Sequence, residues 1–177
     1  ADQFDYFDKQ LKTTTNEKEK DSYRYSKAWV LFQARDYQPA LASLLSISME
    51  NQDQPAVAIL ISQTLDQLEQ SEKAITYLQD AYQLRPDSYP IAISLAKLMS
   101  QHDQAKAALP DIQRWSERRG TDPIIWDQLA DTANKAKDLL LAYRAKSEYF
   151  FLTGQKNKAI KQLQFAIEYA EKNGNYQ

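Results

Sequence analysis

Side chains that could do acid–base or metal chemistry are few in this sequence. Its one histidine, His102, lies in the polar stretch SQHDQ, and the chain contains no cysteine. A lone histidine cannot supply the paired imidazoles of a zinc site, and without cysteine there is neither a disulfide nor a Cys/His dyad. We therefore interpret His102 as a solvated turn residue and expect no cofactor or metal on this chain.

Two carboxylates, Asp127 and Asp131, are four residues apart, which places them on one face of a helix. Such a pair could mimic the acid and base of a glycosidase, a hypothesis that requires a closed pocket and a carboxyl group with a raised pKa. We favour a polar strip that faces solvent or a ligand. The three glycines stand apart at positions 120, 154 and 174, so the sequence has no glycine-rich phosphate loop.

Composition and charge exclude further classes of function. With 43% hydrophobic and 26% charged residues, the 177-residue chain should fold. Its net charge of −2 attracts neither nucleic acid nor anionic lipid. Trp115, Arg118 and Arg119 lie close together, but the acidic Glu117 between them makes this cluster a weak candidate for nucleic-acid binding. No apolar run approaches the roughly 20 residues that cross a bilayer, so we expect no membrane insertion.

The elements that position these side chains follow from a repeat of 34 residues. Ala40, Ala74 and Ala108 recur at that interval, and each is followed four residues later by Leu44, Leu78 or Ile112. A small residue lets two helices of one hairpin approach, and a large one fills the gap to the next hairpin. We call each set of residues that recurs at this interval a column, and these columns resemble those of the tetratricopeptide repeat (TPR). We predict an all-α, TPR-like α-solenoid of antiparallel helix hairpins forming a single domain over residues 1–177, with about four repeats.

Capping signals set the predicted helix bounds. Thr14 and Glu17 form a candidate capping box that opens a helix to about residue 34, and a second helix should span about residues 38–50. Pro55 and Pro123 suit the first turn of a helix, with Asp122 as the N-cap of the second. Residues 1–14, with apolar side chains at positions 4, 7 and 11, are either the remnant of a preceding helix or a frayed end.

The repeat slips near the C-terminus. Ala159, the next small residue of the column, comes 51 residues after Ala108, which is one and a half periods. One helix over about residues 138–152 must therefore serve two hairpins, closing the unit that carries Trp126 and opening the last one.

A concave groove lined by the first helix of each hairpin is the predicted binding surface. Its aromatic N-terminal end would anchor a peptide, unless those rings pack on a preceding helix through Phe4 and Phe7. The predicted groove residues are Tyr25, Trp29, Phe32, Gln63, Asp66, Lys97, Asp127, Asp131, Arg144 and Glu148.

Three stretches carry a closer resemblance: residues 25–45, 58–99 and above all 124–167, IIWDQLADTANKAKDLLLAYRAKSEYFFLTGQKNKAIKQLQFAI. They resemble the C-terminal TPR domain of the β-barrel assembly-enhancing protease family, periplasmic HExxH zinc metalloproteases of Gram-negative bacteria. The dropped half-repeat in the last stretch is the more specific feature. The zinc and the hydrolysis would belong to a protease domain that is absent from this chain.

The resemblance implies a non-catalytic, periplasmic interaction module of a metalloprotease. Its partners would be the outer-membrane β-barrel assembly machinery, outer-membrane protein clients and its own protease domain. The alternative is a free-standing TPR scaffold or adaptor for another envelope assembly system. Binding residues do not carry over from the family, because TPR grooves diverge where ligands touch.

Overall fold

The computed structural model describes residues 2–174, and their side chains from residue 5 onward. Eleven α-helices and no strand occur in this part of the chain, which confirms the all-α prediction. In chain order they are α1 (Asp2–Thr13), α2 (Glu17–Gln33), α3 (Tyr37–Leu45), α4 (Met49–Gln52), α5 (Pro55–Gln67), α6 (Ser71–Leu84), α7 (Tyr89–Gln101), α8 (Ala105–Arg118), α9 (Pro123–Lys135), α10 (Leu139–Leu152) and α11 (Lys156–Asn173).

Two compact units divide the chain, Ala1–Ile91 and Ala92–Gln177. In the first unit α1 packs on α2, α2 on α3, α3 on α5 and α5 on α6. In the second unit α10 packs on both α9 and α11. This double packing confirms the predicted shared helix, while the assignment of residues 1–177 to a single domain stays a prediction.

The repeated columns pack as their residue types predict. Ala40 and Ala74 are completely buried, as are Leu44, Leu78 and Ile112. Completely burying a leucine or isoleucine side chain contributes about 1.5–3 kcal/mol. The columns therefore hold successive helices together.

Turns with the same geometry end five of the helices. In each, one residue adopts a left-handed conformation, and the next N–H donates to the carbonyl five residues earlier, as Asp36 does to Leu31 at 2.9 Å. This is the Schellman motif, in which glycine is the usual left-handed residue. The left-handed residues are Arg35, Glu69, Asp103, Lys137 and Gly154. The first four are 34 residues apart and the fifth follows after 17, so the turns record the slip in the repeat.

Asp21 is a buried carboxylate that the sequence did not predict. Only 6% of it is exposed. It accepts hydrogen bonds from the backbone N–H and hydroxyl of Ser48, from Asn51 Nδ2 at 2.9 Å and from Arg24 Nη1 at 2.8 Å. These bonds tie the segment after α3 to α2.

Two predicted helix ends were wrong. Thr14 is not the N-cap of α2, because its N–H still bonds to Gln10 of α1 at 2.9 Å, and the cap falls to Asn16, which accepts from Lys18 N–H at 3.0 Å. The second helix of the first hairpin ends at Leu45 instead of near residue 50. In the segment that follows, Ser48 and Asn51 donate hydrogen bonds to the Asp21 carboxylate, and this segment forms the short helix α4.

Other predicted termini are confirmed. Pro55 and Pro123 lie in the first turns of α5 and α9, and the Asp122 side chain accepts from Ile124 N–H at 2.9 Å.

At the N-terminus residues 2–13 form a helix, α1, which packs on α2. Its Tyr6 ring contacts those of Phe7 and Tyr23. The Phe4 side chain, predicted to share this apolar face, lies outside the described residues.

Candidate functional site

An open groove in the second unit is the candidate binding site. It encloses about 650 Å³ and is formed by side chains from α7, α9, α10 and α11. Polar residues make up most of its lining: Lys97, Gln101, Asp127, Gln128, Asp131, Asn134, Lys135, Tyr143, Lys146 and Gln162. A groove of this size takes a short segment of a larger ligand.

Both carboxylates of the groove are paired with lysines. Lys146 Nζ lies 2.6 Å from Asp127 Oδ1, and Lys135 Nζ lies 3.0 Å from Asp131 Oδ2. Lys97 also lines the groove, and within residues 5–174 it forms no ion pair. The groove therefore offers paired charges on α9 and α10 and a free ammonium group on α7.

Four carboxamides, on Gln101, Gln128, Asn134 and Gln162, line the same groove. Each carries a donor and an acceptor, the combination that a peptide backbone also presents. Gln128 Nε2 donates to the hydroxyl of Thr132 at 3.1 Å, and Thr132 is completely buried. The buried hydroxyl thus fixes the direction of one of these side chains.

Of the predicted site residues in the second unit, Lys97, Asp127 and Asp131 line the groove, whereas Arg144 and Glu148 do not. α10 contributes Tyr143 and Lys146 instead. The prediction treated α10 as shared by two hairpins, but it took the groove residues of α10 from its register as the first helix of the last hairpin. Because α10 also packs on α9, a different face of it reaches the groove.

The remaining predicted residues belong to the first unit. Trp29 is 46% exposed, and its ring stacks on Phe32 with centroids 6.4 Å apart. Phe32 in turn meets Tyr37 edge-on at 5.5 Å. The described ring contacts of Trp29 and Phe32 therefore lie within residues 29–37. The described ring contact between α1 and α2 is made by Tyr6 and Tyr23 instead.

Tyr25 lines a smaller cavity of about 330 Å³ beside Asp21, and burial raises the pKa of its phenol. Gln63 is exposed on α5. Asp66 accepts a hydrogen bond from the Ser71 hydroxyl at 3.1 Å, at the start of α6.

Metal binding depends on grouped ligands, and acid–base chemistry depends on the pKa values of the carboxyl groups. In the part of the chain that the structure describes, no three His, Asp or Glu side chains are grouped to hold a metal. Hydrogen bonding to Lys20 lowers the pKa of Glu17. Burial opposes ionisation of Asp21, but hydrogen bonds from Ser48, Asn51 and Arg24 outweigh it and lower its pKa to about 2. A carboxylic acid catalyst needs the opposite shift.

A helix that crosses a bilayer must be long and predominantly apolar. Between residues 2 and 174, none of the helices combines the length and the apolar character that crossing a bilayer requires.

Solved structures share this fold. MamA from Desulfovibrio magneticus RS-1, residue 41 to its end, superimposes with a TM-score of 0.64 at 14% identity, over 86% of this chain and 96% of that one. YrrB, a TPR protein with an unusual peptide-binding site, superimposes with a TM-score of 0.57 at 16% identity, over 92% and 91% of the two chains. The chain matches no protein-family model and no curated protein sequence. At this level of identity the likeness shows the fold alone, and that fold is a TPR-like α-solenoid.

Proposed function

We propose that this chain is a non-catalytic protein-interaction module whose second-unit groove holds an extended segment of another polypeptide. The observation that carries the proposal is the groove itself, which is open, polar and built on a TPR-like scaffold. YrrB shows that this fold can carry a peptide-binding site.

The lining suggests how a peptide would be held. Gln101, Asn134 and Gln162 can exchange hydrogen bonds with a peptide backbone whatever its side chains are. Lys97, which forms no ion pair within residues 5–174, would meet an acidic side chain or a terminal carboxylate. A charge-assisted hydrogen bond of this kind contributes about 1.5–3 kcal/mol, or roughly 10- to 150-fold in affinity.

The proposed partners come from the resemblance of residues 124–167 to the β-barrel assembly-enhancing protease family. They are components of the β-barrel assembly machinery and its unfolded clients in the periplasm, together with a protease domain of the same parent protein. A free-standing envelope scaffold remains the alternative. A parent gene that encodes an HExxH helix favours the first, and one without it favours the second.

The test uses fluorescein-labelled synthetic peptides that span the β-strands of an outer-membrane barrel, with fluorescence anisotropy as the readout. Lys97→Glu should weaken binding of acidic peptides at least about tenfold, since it replaces an attraction with a repulsion. Gln162→Ala should weaken the binding of every peptide by a similar factor, and this factor should be smaller than the effect of Lys97→Glu on acidic peptides. Leu84→Glu, at a 71% exposed site in the first unit, is the control and should bind like the wild type.

Two outcomes would count against this groove. One is the absence of binding to any of these peptides, which would remove the proposed partner class. The other is wild-type affinity in both Lys97→Glu and Gln162→Ala, which would move the site elsewhere.

The aromatic cluster of the first unit is a second candidate surface for the same function. The exposed Trp29 ring, stacked on the half-buried Phe32, could anchor an apolar side chain. Replacing both by alanine should reduce peptide binding while leaving the circular dichroism spectrum unchanged. A variant that loses its helical signal would assign the two rings to the core.

A further inference from the structure

The last helix leaves an apolar face uncovered. α11 packs on α10 through Ala159 and Ala166, which are 6% and 8% exposed. On another side of α11, Ile160, Leu163 and Ile167 are 55%, 46% and 58% exposed. Their spacing of three and four residues forms one continuous stripe along the helix.

Equivalent places in earlier repeats are covered by a following helix. Leu44 on α3 and Ile112 on α8 occupy the same repeat position as Leu163, and both are completely buried. α3 packs on α5 and α8 packs on α9. Among the described residues nothing covers this position on α11, although its face has the composition of a helix–helix contact.

Charges flank this stripe in a symmetric order. Lys156 precedes it and Glu171 follows it, and helical periodicity places both on the same side as the apolar residues. Both are exposed, and neither forms an ion pair within residues 5–174. We call Lys156, Ile160, Leu163, Ile167 and Glu171 the α11 outer face.

This order matches its own reverse. About a point between Leu163 and the next residue, position 160 maps onto 167 and position 156 onto 171. A second copy of α11 running in the opposite direction would therefore place Ile160 against Ile167 of the partner subunit, and Lys156 against Glu171 of the partner subunit. A parallel pairing would oppose like charges instead.

We propose that the α11 outer face is the interface of a two-fold symmetric homodimer, in which the α11 helices of two copies pack antiparallel. The contact is isologous, because the same face serves in both copies. Opposed helix directions also bring the positive end of each helix dipole next to the negative end of the other. The interface uses none of the residues proposed to bind peptide in the groove.

Sedimentation velocity over a wide protein concentration range tests the proposal. The wild type should shift with concentration toward about twice the monomer mass of 20.4 kDa. Leu163→Glu should remain monomeric, whereas Ile124→Glu, at a 60% exposed site on α9, should dimerise like the wild type. If the wild type stays monomeric up to about 0.5 mM, its dimer would be weaker than typical specific contacts, and the proposal is overturned.

Charge reversal tests the antiparallel register. Lys156→Glu and Glu171→Lys should each weaken dimerisation, since each creates like-charged pairs across the interface. The double variant should restore it, because it exchanges the two signs at both symmetric contacts. Restoration in the double variant is expected only for the antiparallel pairing. Dimerisation that ignores both single substitutions overturns the proposed register.

Crosslinking gives an independent readout, because the chain has no native cysteine. Leu163→Cys lies next to the two-fold axis and should form an intersubunit disulfide under mild oxidation. Ile160→Cys should not pair with itself, since its two copies would be about 10 Å apart along the helix axis. Mixed with Ile167→Cys, it should form a heterodimeric crosslink. Self-crosslinking of Ile160→Cys with none in the mixture would indicate a parallel pairing and overturn the proposal.

Discussion

Asp21 should make the stability of the first unit depend on acidic pH. Its carboxylate is 6% exposed and accepts hydrogen bonds from Ser48, Asn51 and Arg24. Burial raises its pKa and these bonds lower it, and the net result is a fall from the ordinary value of 3.8 to about 2. One pKa unit corresponds to about 1.4 kcal/mol, so ionised Asp21 contributes roughly 2 kcal/mol to stability at pH 7.

The sign follows from the direction of the shift. A group whose pKa is lower in the folded state binds its proton more readily in the unfolded chain, and acid therefore favours unfolding. The contribution of Asp21 is complete above about pH 5. It falls by about half near pH 3 and is mostly lost by pH 2.

Urea unfolding of the wild type and Asp21→Asn at pH 7, 3 and 2 measures this contribution. The stability difference between the two proteins should shrink by about 2 kcal/mol from pH 7 to pH 2. Glu17→Gln is the control on the same helix, because its carboxylate is also hydrogen-bonded but 64% exposed, and its difference from the wild type should change little with pH. A pH-independent difference for Asp21→Asn would refute the argument.

Three further substitutions test the turns, the repeat columns and the aromatic surface. Gly154→Ala should cost about 1 kcal/mol in urea unfolding, since φ is +76° and only the backbone resists the new methyl group, whereas Gly120→Ala should cost little. Similar effects at the two glycines would contradict this explanation. Leu44→Ala should cost about 2–5 kcal/mol in the same assay, and Leu163→Ala, its exposed equivalent, should cost much less when the protein is dilute enough to be monomeric. Equal costs in the dilute monomer would contradict the exposure of Leu163, whereas a cost that grows with protein concentration is what the proposed dimer predicts. Trp29→Ala should change stability by less than about 1 kcal/mol, because nearly half of the residue is exposed, and a larger thermal shift would place the ring in the core.

The repeat columns could be predicted because packing imposes them locally. A small residue where two helices cross and a large one between hairpins recur at a fixed interval, so Ala40 and Leu44 were identifiable from spacing alone. The groove positions Lys97, Asp127 and Asp131 followed from the same register. Their proximity to one another in the groove is a consequence of the hairpin geometry that this register defines.

What escaped prediction depends on contacts distant in sequence. Nothing near Asp21 marks it as buried, because its partners Ser48 and Asn51 are 27 and 30 residues away. Lys146 was not predicted as a groove residue, because a helix shared by two hairpins presents a face that neither register alone describes. Charged residues at the left-handed turn positions gave no signal either, since glycine is the residue that normally marks such turns.

Substitutions at those turn positions could raise the stability of the protein. Arg35, Glu69, Asp103 and Lys137 each hold a left-handed backbone conformation that disfavours any side chain with a Cβ by about 1–2 kcal/mol. Glycine would remove this penalty at the cost of a more flexible unfolded chain, and asparagine would remove part of it with less added flexibility. The four sites lie in separate turns whose backbone hydrogen bonds share no residue, so their gains should add. A thermostabilised variant could therefore be built from its turns alone, with the groove and the α11 outer face left intact.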